Sequence, residues 1–201
     1  QSGRSNILAR FREVGIDIDP KDKRVGRLVE EVKENEFKGY AYDGAEASFE
    51  LLARRALGTV PEYFRCSNFR VIDERRWDAG NNLVTLSEAT VKLEIGDEAF
   101  MTVAEGNGPV NALDAAMRKV LTPIYPSLEG MRLIDYKVRI LTPGDGTRAI
   151  TRVMIESADA EGRHWSTVGV SANIIDASYN ALRDSLVYKL HSDGATEPGQ
   201  A

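Results

Sequence analysis

The chain has 201 residues and a net charge of -5, with 42% hydrophobic and 28% charged residues, a composition typical of a globular protein. Its charges are mixed: residues 1–65 hold 12 basic and 12 acidic side chains, and the remainder holds 14 and 19. The lack of a basic half argues against a nucleic-acid partner, and no apolar run is long enough to span a bilayer. The single cysteine, Cys66, cannot form an internal disulfide, and together these features predict a cytoplasmic protein.

Residues 1–60 carry the pattern of three amphipathic helices, with apolar side chains three and four positions apart. Asp19 followed by Pro20 is a typical helix start and predicts the beginning of the second helix. Asp43, with Glu46 three residues later, has the spacing of a capping box and predicts the start of the third. We interpret residues 1–60 as a helical connecting subdomain.

After Pro61 apolar and polar residues alternate, which is typical of β-strands and marks a domain boundary. The pattern predicts two successive βββα units, at about residues 66–128 and 129–191, that form one regulatory domain of residues 61–191. The first unit is expected to hold strands at 69–77, 83–95 and 98–104 and a helix at 109–121; the second, strands from 134, 149 and 163 and a helix from 172 to 191. Residues 192–201 are small and polar and are predicted to be disordered.

The alternation predicts an α+β fold: a three-helix subdomain followed by a duplicated βββα domain of antiparallel sheets, each with helices on one face only. In the second strand the inward-facing set changes after Leu86. This change predicts a β-bulge near Ser87 and Glu88. Gly144, Asp145 and Gly146 are expected to form the first turn of the second unit.

The two units are related by an internal duplication. Residues 102–121 and 167–186 align at a constant offset of 65 and share six identities in twenty positions. The shared pairs are Thr102/Thr167, Val103/Val168, Ala112/Ala177, Ala116/Ala181, Arg118/Arg183 and Leu121/Leu186. Each copy is predicted to be a strand, a polar loop and the start of a helix, and the common context favours duplication over chance.

Nothing in the sequence has the pattern of a catalytic site. His164 and His191 lie in different predicted elements, without the spacing of metal ligands. No nucleophile, phosphate-binding or dinucleotide-binding motif is present. We therefore expect no catalytic residue, metal or cofactor site in this chain.

The loop of the first copy is suited to bind a small anion. Gly106 and Gly108 allow close approach of the backbone, Asn107 adds an amide, and the following helix offers unsatisfied N–H groups. The alternative is a tight turn that needs glycine for a positive φ. The second copy has side-chain caps, Ser171 and Asn173, in place of the glycines.

The last predicted helix carries a stripe of small residues that lets another element approach closely. Its members are Ala177, Ser178, Ala181 and Ser185. The stripe is compatible with packing inside the chain and with packing against a second subunit.

Several segments resemble the C-terminal region of the 2-isopropylmalate and citramalate synthase family. GNGPVNALDAAMRKVL, LIDYKVRI and TVGVSANIIDASYNALRDSLVYKL are similar to its regulatory domain. Ser2-Gly-Arg4 and GYAYDGAEASFELLARR are similar to the subdomains that follow the catalytic barrel. The combination of AEASFELL with TVGVSANIIDAS is typical of the citramalate branch. The family often has His where this chain has Gln1, so no proton-transfer role is assigned there.

The resemblance implies a feedback-regulatory region that forms a homodimer and binds isoleucine as an allosteric inhibitor. The parent enzyme would condense acetyl-CoA with pyruvate on a barrel with a divalent metal. This sequence lacks the barrel and an initiator Met, so we expect a fragment that is inactive alone. Carried over by position, the effector pocket would be formed by Gly106, Asn107, Gly108, Pro109, Val110, Leu113, Val170, Ser171, Ala172, Asn173 and Ile174, and Tyr40 and Tyr42 would face the barrel.

Two alternatives stay open. One is the same region of the isopropylmalate branch, whose effector is leucine, and the other is a purely structural dimerisation module without an effector site. For Tyr40 and Tyr42, packing at a helix start is an equally good interpretation.

Overall fold

The computed structural model describes residues 3–141 and 149–198. Within these residues, five α-helices and six strands follow one another in the order expected: three helices, then two βββα repeats. The helices are α1 (Arg4–Glu13), α2 (Lys23–Lys38), α3 (Glu46–Ala56), α4 (Pro109–Ile124) and α5 (Ile174–Ser192); the strands are β1 (Arg65–Trp77), β2 (Leu83–Ile95), β3 (Glu98–Gly106), β4 (Arg132–Leu141), β5 (Ile150–Ala158) and β6 (His164–Ser171). Two three-stranded sheets have the orders β1-β2-β3 and β4-β5-β6, and the α+β prediction is confirmed. The turn predicted at Gly144, Asp145 and Gly146 lies outside the described residues.

Two compact units divide the chain in a way that does not follow its sequence order. The α5 unit contains α1, α2, α3, the sheet β4-β5-β6 and α5 up to Tyr188. The α4 unit contains the sheet β1-β2-β3, α4, residues 159–162 and the segment from Lys189 onward. The amino-terminal helices thus share a unit with the second repeat and not with the repeat that follows them directly.

In the α5 unit, the sheet β4-β5-β6 has helices on both of its faces. One face packs on α5; on the other, Val168 of β6 joins the buried core of α1, α2 and α3, with Phe11 and Phe49 stacked at 5.3 Å between ring centroids. Ser48 of α3 accepts a hydrogen bond from Val168 N, the β6 amide (2.9 Å). The expectation of helices on one face only is therefore wrong for this sheet, because β6 is buried on both of its faces.

Two of the predicted helix starts are displaced. Helix α2 begins at Lys23, and its cap is Asp22, whose side chain accepts from Arg24 N; Asp19 instead accepts from Lys21 N in the preceding turn. Helix α3 begins at Glu46 after a single 3-10 turn, without a side-chain cap. Neighbouring aspartates compete as caps, and local sequence does not rank them.

In the α4 unit, the β1-β2 register is continuous from Asn68 to the hairpin end, and the register shift lies between Cys66 and Asn68. The bulge predicted near Ser87 and Glu88 is therefore wrong. Ser87 takes an inward position, buried to 4% exposure, and its hydroxyl donates to Asp73 Oδ1 at 2.5 Å. Ser87 therefore occupies the same face as the buried residues Ala89 and Val91. Because its hydroxyl has a hydrogen-bond partner, it can be buried there without a bulge.

The segment after α5 makes contacts within the α4 unit. The Tyr63 hydroxyl donates to Ala195 O (3.0 Å), and Glu62 N donates to the Glu197 carboxylate (3.2 Å). Tyr125 in turn donates to Tyr63 O (2.6 Å). These bonds involve the first part of the tail predicted to be disordered from residue 192.

Candidate functional site

The two strand-loop-helix copies make the same long-range hydrogen bond. Thr102 Oγ1 of β3 donates to Ala116 O of α4 at 2.7 Å. Thr167 Oγ1 of β6 donates to Ala181 O of α5 at 2.8 Å. All four residues are identities of the 65-residue offset, so the duplication extends to how each strand is fastened to its helix.

Gly106 is required by packing and not by backbone conformation. A Cβ at this position would lie 2.6 Å from Ala112 N, within the first turn of α4. Gly108 has extended backbone, with φ -174° and ψ 171°, and a Cβ there would meet nothing within 4 Å. Neither glycine has a positive φ, so the positive-φ turn is wrong as an explanation of this loop.

The amino terminus of α4 has no side-chain cap among the described residues. Pro109 is its first residue and has no N–H. The next two amides, of Val110 and Asn111, belong to the first turn, where a helix provides no backbone acceptor. The helix dipole adds roughly half a positive charge at this end. The loop of the first copy thus presents N–H donors and the positive end of the helix dipole.

The second copy is capped by its own side chains, as its sequence predicts. Asn173 Oδ1 accepts from Ile175 N at 2.7 Å and from Asp176 N at 3.3 Å. Ser171 Oγ accepts from Asn173 N at 3.1 Å. The first N–H groups of α5 are therefore satisfied, and the two loops differ in the donors that they offer to a ligand.

The predicted pocket residues differ in accessibility. Around the first loop, Asn107 is exposed, but Val110 is only 6% exposed and Leu113 is fully buried against the sheet. Around the second, Ala172 and Asn173 are exposed and Ile174 is 44% exposed. The remaining members, Gly106, Gly108, Pro109, Val170 and Ser171, are half-buried. The first set lies in the α4 unit and the second in the α5 unit.

Sequence reasoning did not single out Gly169, which positions the second copy. A Cβ at Gly169 would lie 2.0 Å from Ala177 O and 2.8 Å from Ala181 N. The signal for this close approach is the stripe of small residues on α5. Ser185 of the same stripe contacts Ser157 Oγ at 2.6 Å. The stripe is therefore used for packing inside the chain.

Tyr40 and Tyr42 lie together in the α5 unit, with their rings stacked at 5.6 Å. Tyr42 is 3% exposed, and its hydroxyl accepts from Asn35 Nδ2 at 2.9 Å. Burial raises the pKa of both phenols. The position of Tyr42 favours the interpretation as packing at a helix start.

No helix in residues 3–141 and 149–198 has both the length and the apolar character needed to cross a membrane. Over the same ranges, no group of three or more His, Cys, Asp or Glu side chains is arranged to hold a metal ion.

Comparison with known proteins gives one family match. The family model described as the LeuA allosteric (dimerisation) domain matches residues 43–190. This range begins at α3 and includes both βββα repeats.

Curated relatives cover nearly the whole chain. The (R)-citramalate synthase of Geobacter sulfurreducens is 54% identical over 98% of this chain and 36% of its own length. Two proteins of Aquifex aeolicus separate the branches: its (R)-citramalate synthase is 49% identical over 96% of this chain and 36% of its own length, and its 2-isopropylmalate synthase is 31% identical over 92% and 32%. The chain thus spans about a third of the length of these relatives. The resemblance described from the sequence is confirmed.

Proposed function

Because this chain belongs to the family of LeuA allosteric (dimerisation) domains, we propose that it is the region of a citramalate synthase that joins two subunits and binds isoleucine as a feedback inhibitor. The observation that carries the choice of branch is the higher identity to the citramalate synthases than to the isopropylmalate synthase, 49% against 31% within one organism. The acyl-transfer reaction, acetyl-CoA with pyruvate, and the divalent metal that would assist it are assigned to a catalytic barrel outside this sequence. The setting we propose is the cytoplasm.

The asymmetry of the two loops supports an amino-acid effector bound by its carboxylate at the first loop. The Val110 and Asn111 amides and the dipole of α4 stabilise a negative charge there. At α5 the side chain of Asn173 already occupies the equivalent donors. We therefore place the effector carboxylate against Gly106, Asn107 and Gly108.

The apolar part of the effector needs a surface that is accessible before binding. Of the three apolar side chains assigned to it, Ile174 is the most exposed, whereas Leu113 is buried in the α4 core. Ile174 is thus the accessible apolar side chain among these candidates, whereas Val110 and Leu113 are part of the buried core of the α4 unit.

Exposed apolar strand residues support the pairing of two subunits. On the face of β1-β2-β3 that points away from α4, Ile72 is 57% exposed and Met101 is 64% exposed. On β4, four apolar side chains at alternating positions are 39–68% exposed: Ile134, Tyr136, Val138 and Ile140. Apolar strand faces of this kind are commonly covered in an assembly. We propose that a second copy of the chain covers them.

Calorimetric titration of the dimeric chain with isoleucine and with leucine tests the proposal. Saturable binding of isoleucine at lower concentration than leucine is the expected result. The reverse preference would move the chain to the isopropylmalate branch. A folded dimer that binds neither amino acid would contradict an effector site and leave a structural dimerisation module.

The variant Gly108→Val tests the position of the carboxylate. Space around Gly108 accommodates a side chain, so the fold is expected to persist while the added isopropyl group shields the N–H groups of α4. Isoleucine affinity should fall at least tenfold, while the poorer helix cap lowers the melting temperature only slightly. Ala79→Val, at an exposed hairpin turn, is the matched control and should bind normally.

A further inference from the structure

Strand β1 forms a long, exposed edge of the sheet β1-β2-β3. It is an outer strand of that sheet, and every residue from Ile72 to Trp77 is exposed. Its pairing with β2 is continuous from Asn68 to Trp77. The outward N–H and C=O groups of such a strand are a template for pairing with another chain.

Side chains of neighbouring helices bind backbone groups of two other edge strands. At β6, Ser48 Oγ of α3 accepts from Val168 N at 2.9 Å. At β3, Lys119 Nζ of α4 donates to Val103 O at 2.6 Å. The sequence of β1 from residue 68 to 77 contains neither lysine nor proline, the two residues that commonly protect an edge from pairing. Its charges are those of arginine, aspartate and glutamate, and their order along the strand determines which partner they fit.

Two copies of β1 can pair antiparallel about a two-fold axis that is perpendicular to the sheet. Such an axis keeps the same face of both sheets on the same side, and residues opposite each other in an antiparallel pair share one face. One residue of β1 therefore lies at the axis, opposite its own copy. Opposite charges that face each other across a strand pair stabilise it and like charges destabilise it, so the charges select the residue at the axis.

The register centred on Ile72 brings opposite charges together. Arg70 lies opposite Glu74 of the second copy and Glu74 lies opposite its Arg70, which gives two ion pairs. Ile72, which is 57% exposed in the single chain, gains the second Ile72 as an apolar neighbour. Asn68 lies opposite Arg76. This register places no like charges opposite each other.

The neighbouring registers fit less well. A centre at Val71 brings no opposite charges together. A centre at Asp73 or at Glu74 places that carboxylate opposite its own copy, which is destabilising. Among these four centres, Ile72 alone combines an apolar contact at the axis with ion pairs beside it.

From this charge pattern we infer that β1 pairs with β1 of another copy of the chain and joins the two three-stranded sheets into one of six strands. The contact uses the edge of the sheet, whereas the subunit pairing proposed above covers the face that carries Met101. One copy can therefore make both contacts with two different copies. A strand edge offers a small surface, and small interfaces are weak. The edge contact thus joins dimers into tetramers at high chain concentration.

Charge reversal with rescue tests the register. Arg70→Glu and Glu74→Arg each place like charges opposite each other and should raise the tetramer dissociation constant at least tenfold, measured by sedimentation equilibrium. The double variant Arg70→Glu/Glu74→Arg restores opposite charges, and its constant should return to within about threefold of wild type. Lys33→Glu, a charge reversal on α2 with a side chain that is 48% exposed, is the matched control and should associate normally.

Three results would each overturn the inference: a wild-type chain that never exceeds a dimer, single variants that associate as wild type does, or a double variant as weak as the single ones. The same series in a Met101→Asp background, which lacks the face contact, should act on the remaining step from monomer to dimer. Loss of the dimer with an intact response to charge reversal would contradict the face pairing and leave the edge contact in place.

A cysteine at the axis tests the same register covalently. In a chain with Cys66→Ser and Met101→Asp, Ile72→Cys places two thiols on residues with Cα atoms about 4.5–5.5 Å apart, a separation that a disulfide spans. The control is Arg76→Cys, because its two copies lie eight residues apart in this register, roughly 26 Å. Oxidation should link the Ile72→Cys chains at least tenfold faster than the control. Equal rates would overturn the inference, because they would reflect random collision.

Discussion

Two glycines in the loop between β3 and α4 have different physical roles, although they are two positions apart. At Gly106 the missing Cβ leaves room for backbone atoms of α4, which cannot move away without displacing the helix. At Gly108 the space is open. The sequence left an anion-binding loop and a tight turn as alternatives for both glycines, and only the distance to Ala112 N separates the packing role of Gly106 from the open surroundings of Gly108.

Gly106→Ala is therefore expected to lower the free energy of unfolding by about 1–3 kcal/mol, as overpacking does. Gly108→Ala should change it by less than about 1 kcal/mol, because the poorer cap is offset by the smaller entropy of the unfolded chain. Urea denaturation of the three proteins measures both. Equal free energies of unfolding for the two variants would contradict this prediction, because they would show that the first turn of α4 moves to accommodate the Cβ of residue 106.

Lys189 is a buried charge, 3% exposed, held in the α4 unit by Asp193 at 2.8 Å and Asp159 at 3.1 Å. Burial lowers the pKa of its ammonium, but the hydrogen bonds to Asp193 and Asp159 outweigh burial and the net pKa is raised. A raised pKa in the folded state stabilises the protein fully below the unfolded value of about 10.4. This contribution disappears as the pH rises through the folded pKa.

The melting temperature of wild type should therefore fall more steeply above about pH 10.4 than that of Lys189→Met/Asp159→Asn, which lacks the ion pair. Tyrosines titrate in the same range, but they are common to both proteins and cancel in the difference. Parallel curves from pH 9 to pH 12 would exclude a stabilising charge at Lys189.

At the scale of elements, each βα pair is fastened by a strand threonine bonded to a helix carbonyl. The alternation of apolar and polar residues predicted the strands, and the constant offset of 65 predicted the duplication. Both patterns can be seen in the sequence without knowledge of the fold. The hydrogen bonds that Ala116 O and Ala181 O accept from Thr102 and Thr167 depend on distances in the folded chain. They could not be predicted from the spacing of residues in the sequence. The exposed face of β1-β2-β3 is likewise visible only after the register is known: Met101 pairs with Lys92 and Val103 with Thr90.

A charge on this exposed face should separate the proposed dimer. Met101→Asp is expected to weaken self-association tenfold or more, because an ionised carboxylate is buried without a partner in the interface. Phe37→Asp replaces a side chain that is 94% exposed on α2 and should leave the dimer intact. Sedimentation velocity over a concentration series measures both; a Met101→Asp chain as dimeric as wild type would place the interface elsewhere.

At the scale of the whole molecule, the order of helices and strands was predictable, but their grouping was not. Local patterns placed a boundary after residue 60 and left the three helices as a subdomain of their own. The contacts of Val168 place those helices with β6, more than one hundred residues away along the chain. Burial between residues far apart in the chain leaves no local sequence pattern. The resemblance to a family could be recognised from the sequence, because similar segments preserve many contacts together.

The hydrogen bond from Val168 N of β6 to Ser48 Oγ of α3 also limits where the chain can be truncated. β6 is the last strand of its sheet, and α3 shields both its open edge and its apolar face. A recombinant chain that starts at residue 61 would expose an unpaired edge next to Val168 and Val170, which is a template for intermolecular strand pairing. Such a chain should precipitate or form large oligomers by light scattering, whereas one that starts at residue 3 should not. A monodisperse 61–198 fragment would instead show that residues 61–198 fold without the amino-terminal helices, and that the chain does have a domain boundary after residue 60.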